Sequence, residues 1–371
     1  MTDTYCSMIH GGLQLDFKSS VPQAQHCCLR KTEFQIDISK NFWNNDNFIQ
    51  LREKNKTNTW DLGCSNCQRL EASGHTSMRT GMNDGLGITG KTELSGPARI
   101  DLMFDISCNL ACRTCGTHSS TFWQKHLKEH DLWTQPIFSP RNSTEVIHSL
   151  QQLDLSNLRQ VIFCGGETML GQSYWDVAEW LADNVPNAKQ QLTVCFQTNG
   201  TQPISVKNIR IIEKLHLVKL NVSIDGIGEK FEYLRWPATW NQVTDNILQI
   251  KQTAPGNVMF VIEETISIFN LLYTHEVSQW AQQNFSANRE GDIINHSKHF
   301  AGGIFSLSNC STEYVAAVKS KNNQSLIPSN WKENPMEISR MIKSIKEFDQ
   351  LRNQSFEETF PELTAFYSRF L

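Results

Sequence analysis

Three cysteines within eight residues, Cys108-Asn-Leu-Ala-Cys112-Arg-Thr-Cys115, constrain this chain more than any other stretch of it. Gaps of three and two residues let three thiols converge on one inorganic centre. Before them, Arg99-Ile-Asp-Leu-Met-Phe104 alternates and is apolar enough for a strand. After them, Ser119 to His130 places Phe122, Trp123 and Leu127 at helical spacing. The cysteines are therefore expected on a strand-to-helix loop, the position at which β/α barrels carry chemistry. Three thiolates on an iron–sulfur cube leave one iron free for a substrate or cofactor, whereas fully ligated electron-transfer clusters take four cysteines. With His118 as a fourth ligand the same thiolates would suit zinc. The alternative function is then a non-enzymatic, zinc-stapled binding protein.

The spacing C-x3-C-x2-C resembles the signature of the radical S-adenosylmethionine superfamily, with Cys108, Cys112 and Cys115 on its cluster-ligand positions; Thr114 stands where that family usually has an aromatic residue. Gly165-Gly166-Glu167, after the next strand-like run, resembles the family's GGE motif. The resemblance implies that these residues hold the methionine amine of S-adenosylmethionine. A zinc site has no use for such a motif. Gln197-Thr198-Asn199-Gly200 and Ser223-Ile224-Asp225-Gly226 resemble segments that border the cofactor in the family. Ser223 is the contact the resemblance supports best; Thr198, Asn199 and Asp225 fit equally well as turn formers that bond their own backbone. Arg235, in Tyr-Leu-Arg-Trp-Pro, could partner a carboxylate, but a solvated helix-end residue is the expectation. Cys164, Cys195 and Cys310 are expected to pack as small hydrophobes.

Eleven cysteines and no export signal argue for metal ligation over disulfides. Cys6, the pair Cys27-Cys28, and Cys64-Ser-Asn-Cys67 form a second group, in segments too polar for a large core of their own, so a metal is expected to hold them together. Either member of the pair serves, with Cys27 preferred. The group resembles the auxiliary-cluster twitch module, a relative of the SPASM domain, with Cys6, Cys27, Cys64 and Cys67 on ligand positions. Here it precedes the barrel instead of following it. Residues 41–56 carry Trp43, Phe48 and Leu51 as a packing helix. Gly85-Leu-Gly87-Ile-Thr-Gly90 matches G-x-G-x-x-G formally, but neither a preceding strand nor a following helix is expected, so it is assigned to a glycine-rich connector.

Strand-like runs at Gln160–Cys164, Leu192–Phe196, Leu217–Ile224, Val258–Ile262 and Gly303–Leu307 alternate with helical patterns, which implies parallel βα units. The expected fold is α/β, a partial (β/α)6 TIM-like barrel at 98–310. A cysteine-rich metal-cluster module at 1–80, a linker at 81–97 and a helical extension at 311–371 complete it. A net charge of −4 gives no electrostatic footprint for nucleic acid, and no apolar run is long enough for a membrane span, so a cytoplasmic location is expected. The resemblance implies an enzyme with a [4Fe-4S] cluster, S-adenosylmethionine and an auxiliary iron–sulfur cluster. It further implies reductive cleavage to a 5′-deoxyadenosyl radical, hydrogen abstraction from a peptide or small molecule, and a flavodoxin- or ferredoxin-like electron donor.

Overall fold

A computed structural model describes residues 4–30, 33–74, 76–85, 88, 93–139, 141–285, 297–320, 327 and 331–371. Among them nine strands form one open sheet. They are β1 (Gly12–Asp16), β2 (Gln23–Gln25), β3 (Phe34–Gln35), β4 (Arg99–Met103), β5 (Gln160–Cys164), β6 (Thr193–Thr198), β7 (Leu217–Ser223), β8 (Val258–Ile266) and β9 (Ser297–Phe300). Their order is β3-β2-β1-β4-β5-β6-β7-β8-β9. From β4 to β9 every neighbouring pair is parallel. Helices such as Thr121–Glu129, Ser173–Asn184, Val206–Glu213, Trp240–Thr253 and Thr274–Phe285 lie between them in the chain. The expected βα alternation is present, with element ends displaced by a few residues. No helix among the described residues is long and apolar enough to cross a membrane.

The last strand is a correction. Gly303–Phe305 is a short 3-10 helix, and the partner of β8 is Ser297–Phe300, with Glu263 opposite Ser297 and Ile266 opposite Phe300. Gly303 adopts φ +66°, in the left-handed region that ends an extended run.

Period-two patterning gives the sheet two unlike faces. Ile100, Leu102, Val161, Phe163, Val194 and Phe196 point into the main core, where the flanking helices contribute Leu181, Ile211, Val243 and Val277. The alternate positions are mixed, with Met103, Ile162 and Val261 among polar residues that bond to one another. Arg99 pairs with Asp101 at 2.7 Å, and the Asn221 amide donates to Glu263 at 3.0 Å. Parallel sheets covered on both sides read as continuous apolar runs. This one keeps a polar face.

The N-terminal residues are continuous with that sheet. β1 runs parallel to β4, from Gly12 opposite Arg99 to Asp16 opposite Met103, and β2 and β3 extend it antiparallel. Leu13, Leu15, Phe17, Trp43 and Phe48 lie in the same core as Ile100 and Phe163. The first segment therefore does have a core, and it is the barrel's own. The helix Asp46–Lys56 starts where the Asn45 side chain accepts from the Phe48 amide, and it buries Phe48 and Leu51 as expected. Gly81 and Gly85, expected in the connector, belong to a helix, Met78–Gly85; Leu86, Gly87 and residues 89–92, with most of the G-x-G-x-x-G match, lie outside the described residues. Leu15 is fully buried, so Leu15→Ala should lower the stability of the whole chain by about 2–5 kcal/mol in denaturant unfolding. An unchanged midpoint would place β1 outside the cooperative unit.

A second core joins the segment after β8 to the C-terminal region. Ile266, Phe269, Leu272 and Cys310 pack there against Tyr314, Met341, Phe360 and Tyr367. Cys310 is thus a packing residue, as expected.

Candidate functional site

The cysteine loop leaves β4 and returns into the helix Thr121–Glu129. Ser120 caps that helix by accepting from the Trp123 amide, and its hydroxyl also donates to the Leu110 carbonyl at 2.6 Å. Thr121 accepts from the Cys108 amide at 3.2 Å, and the Trp123 indole donates to the Cys112 carbonyl at 2.9 Å. On the other side the amides of Ala111 and Arg113 donate to the carbonyls of Trp236 and Leu234, both at 2.8 Å. Arg113, 1% exposed, stacks on Tyr233 and pairs with Asp349 of the helix Pro335–Arg352. Most of the bonds that hold the loop run through its backbone, and the thiols add only long contacts, such as the Leu110 amide to the Cys108 sulfur at 3.5 Å. Cys115 is exposed and Cys108 and Cys112 are half-buried. His118, the alternative zinc ligand, is exposed, with its ring against Gly116.

Burial pushes the Cys108 thiol up to about 11 and raises Cys115 as well; it raises Cys112 too, against the pull of Arg235. As thiolate ligands the three therefore need a cation, and a bound metal centre supplies one. The donor set fits such a centre: three soft thiols on one pinned loop, with the Arg235 guanidinium 3.9 Å from the Cys112 sulfur. Among the described residues no group of three or more His, Cys, Asp or Glu side chains is placed to hold a metal ion as it stands.

Gly165 and Gly166 close the end of β5 against the start of that loop. A Cβ on Gly165 would stand 2.1 Å from the Asp105 carbonyl oxygen, and one on Gly166 would stand 2.2 Å from that of Ser107. Gly165 also has φ +137°. The pair is required by the approach of two backbones: the Gly166 amide donates to Asp105 at 3.1 Å and the Glu167 amide to Ser107 at 2.8 Å. This registers Glu167 against the residue before Cys108.

The Glu167 carboxylate is buried. It accepts from the Thr198 hydroxyl at 2.7 Å, the Asn199 amide at 2.5 Å and the Met169 amide at 3.0 Å. Burial nonetheless raises its pKa. Three of its roughly four acceptor positions are taken, so one remains. Thr198 and Asn199 do act as turn formers, accepting from the amides of Gly200 and Thr201, but they also reach across strands. The Asn199 amide group donates to Asn109 at 2.9 Å, inside the cysteine loop, and Asn109 in turn donates to Thr201 at 2.9 Å. The ends of β5 and β6 and the cysteine loop thus form one bonded unit.

Asp225 is fully buried and is not a turn former. It accepts from the Thr265 amide at 2.8 Å and pairs with Arg235 at 2.9 Å. Arg235 is 7% exposed, which corrects its assignment as a solvated helix end: the carboxylate of Asp225 and the Cys112 sulfur draw it inward. Ser223 is half-buried at the end of β7, opposite Glu263. Asn109 and Arg113 were not singled out from sequence, and Asp225 and Arg235, each considered separately, were not expected to pair with one another. The only local sign was a basic residue inside the cysteine loop.

The second thiol group also comes together. Cys6, Cys27, Cys64 and Cys67 line one cavity with His26 and Arg79. Cys28 is exposed, and the charges acting on it include those of Asp101 and Arg99 on β4. Burial raises Cys6 to about 11 and Cys64 to about 12. His26, which sequence reasoning passed over, lies 3.9 Å from the Cys64 sulfur, and burial lowers it to about 3, so its ring is neutral.

Residues 106–268 match the family model described as Radical SAM superfamily. Among solved structures, the chain is similar to anSMEcpe with bound AdoMet at 14% identity and a TM-score of 0.38, covering 69% of this chain and 61% of that one. It is similar to Streptococcus suis SuiB bound to the precursor peptide SuiA at 12% identity, covering 97% and 75% of the two chains with a TM-score of 0.37. Against Streptococcus suis SuiB bound to S-adenosylmethionine the identity is 13%, the coverage 92% and 69%, and the TM-score 0.36. No curated protein matches the sequence. The residues that match the Radical SAM superfamily model span the cysteine loop and the ends of β5 to β8.

Proposed function

We propose that this enzyme cleaves S-adenosylmethionine reductively and abstracts hydrogen from a peptide or small molecule in the cytoplasm, with a flavodoxin- or ferredoxin-like protein as electron donor. The observation that supports it most is the bonding of Gly166 and Glu167 to the loop of Cys108, Cys112 and Cys115, which brings the two motifs to one place. The domain implies a [4Fe-4S] cluster and S-adenosylmethionine. A cluster held by Cys108, Cys112 and Cys115 would supply the electron for reductive cleavage of S-adenosylmethionine, the chemistry that hydrogen abstraction requires.

The chain's own residues hold and orient. Cys108, Cys112 and Cys115 are the metal ligands, and Arg235 offsets their negative charge while Asp225 fixes its position. The open acceptor position of Glu167, beside Gly165 and Gly166, takes the cofactor's ammonium group as a charge-assisted hydrogen bond. Thr198 and Asn199 hold that carboxylate in place and border the cofactor with Ser223. The polar face of β4 to β8 supplies the surface for substrate. Anaerobic, reduced protein should convert S-adenosylmethionine to 5′-deoxyadenosine and methionine; a cluster-loaded preparation that never does so would overturn the reading.

Cys6, Cys27, Cys64 and Cys67 hold the auxiliary cluster of a twitch-like module, with Cys27 preferred to Cys28 because it shares their cavity. The reconstituted chain should then carry about eight irons as two four-iron clusters, falling to about four when those four cysteines are replaced by alanine. Iron and sulfide analysis measures both values. Stoichiometric zinc, or an unchanged iron content in the variant, would remove the auxiliary cluster.

A further inference from the structure

The helix Pro335–Arg352 lies outside the matched residues 106–268, yet it ends on a cation enclosed directly behind the cysteine loop. Arg352 is 6% exposed, and none of its three guanidinium nitrogens has a hydrogen-bond partner. Rings surround it. Its central carbon stands 4.5 Å from the centroid of Trp123, 5.1 Å from that of Trp236 and 5.2 Å from that of Phe348. Aromatic faces attract a cation, but they replace only part of the hydration it has lost. Burial, then the neighbouring charge of Arg113, lowers it to about 9, which leaves it protonated at neutral pH.

The two other buried arginines at the loop are paired. Arg235 has Asp225 and Arg113 has Asp349. Arg352 has no such hydrogen-bonded carboxylate among the described residues, although the charge of Asp349 three residues earlier acts on it. The ring it stacks on most closely, Trp123, donates its indole N–H to the Cys112 carbonyl, and the Cys112 thiolate is among the groups whose charge acts on Arg352.

We propose that Arg352 is a counter-charge to the metal centre on Cys108, Cys112 and Cys115, a positioning residue of the C-terminal helix that raises the centre's reduction potential. This rests on the cluster reading above. Each one-electron reduction adds a negative charge behind three thiolates, and a nearby buried cation stabilises the reduced form more than the oxidised one. The aromatic box keeps water from screening that attraction. The guanidinium and the cluster thus suit each other: Arg352 has no hydrogen-bonded anion, and three thiolates carry more negative charge than the Arg235 guanidinium alone offsets.

The test is the potential of the cluster in the full chain, followed by electron paramagnetic resonance during a redox titration. Arg352→Met should lower the reduced-to-oxidised ratio at a fixed solution potential at least about tenfold, which is about 59 mV for one electron. Arg352→Lys, which keeps the charge, should stay near the parent. Asp349→Asn removes an anion from the same helix and should move the potential the opposite way; it carries the test together with the lysine variant should Arg352→Met fail to fold. An iron-loaded Arg352→Met with the parent's potential would overturn the proposal. So would a lysine variant that falls as far as the methionine one, because packing and not charge would then be responsible, or an Asp349→Asn potential that does not rise. Parent protein that binds no cluster at Cys108, Cys112 and Cys115 would overturn both this and the reading beneath it, whereas a loaded parent with unmoved variants would overturn this alone.

Discussion

Replacing Cys108, Cys112 and Cys115 together by alanine should abolish cleavage of S-adenosylmethionine and remove about four irons while the chain stays folded. The loop's conformation depends little on its thiols, whose contacts are 3.5 Å or longer. Backbone groups of Ile106, Leu110, Cys112, Leu234 and Trp236 make its bonds, with Ser120, Thr121 and Trp123 as side-chain partners. Cys115 is exposed and the other two are half-buried, so truncation to alanine should cost about 1 kcal/mol or less at each position. Chemical denaturation, iron analysis and 5′-deoxyadenosine formation separate the possibilities. Lost cleavage with full iron would mean that the cluster lies elsewhere, and lost folding would mean that the loop is structural. The iron that remains should belong to the N-terminal thiols.

Contacts local in sequence were legible, and contacts between distant elements were not. β4 to β8 announce themselves because apolar residues recur every second position between helical patterns, and the strand ends carry the glycines and polar residues that make a site. The join of β1 to β4 is different. Gly12–Asp16 is five residues long and includes Gln14 and Asp16, a pattern too short and polar to mark a strand; only its register beside Arg99–Met103 makes it one. Arg113 with Asp349 spans 236 residues and leaves no periodicity at either end. Arg235 looked solvated because a helix end usually is; its burial follows from Asp225, a residue that sequence placed equally well in a turn. The glycines of Gly165-Gly166-Glu167 were expected to let the backbone approach a ligand; what lies against them in the structure is the backbone of Asp105 and Ser107. They admit the backbone of the cysteine loop, and by doing so bring Glu167 to the site.

Glu167→Gln should weaken binding of S-adenosylmethionine by about 1.5–3 kcal/mol, roughly ten- to a hundredfold, and should also destabilise the chain. Both effects follow from one carboxylate with three internal donors and an open fourth position. The amide keeps one acceptor oxygen, but its NH2 group must face a donor, either the Asn199 amide or the Thr198 and Met169 pair. One such mismatch in a buried site costs about 1–3 kcal/mol. A role confined to holding β6 predicts the stability loss alone, so unaltered cofactor affinity in a folded, iron-loaded variant would remove the ammonium contact. Dependence on pH gives a second check. Burial raises the carboxyl above its usual value, so as pH falls through that raised value the free protein takes up a proton that the cofactor's ammonium must displace. Parent affinity should therefore weaken on acidification, and the glutamine variant should lack that limb. In unfolding the sign is the reverse. A raised folded value makes this group's contribution complete below the unfolded pKa and progressively lost as pH rises through the folded one. The parent should accordingly lose stability relative to the variant over that window, while its hold on the cofactor strengthens.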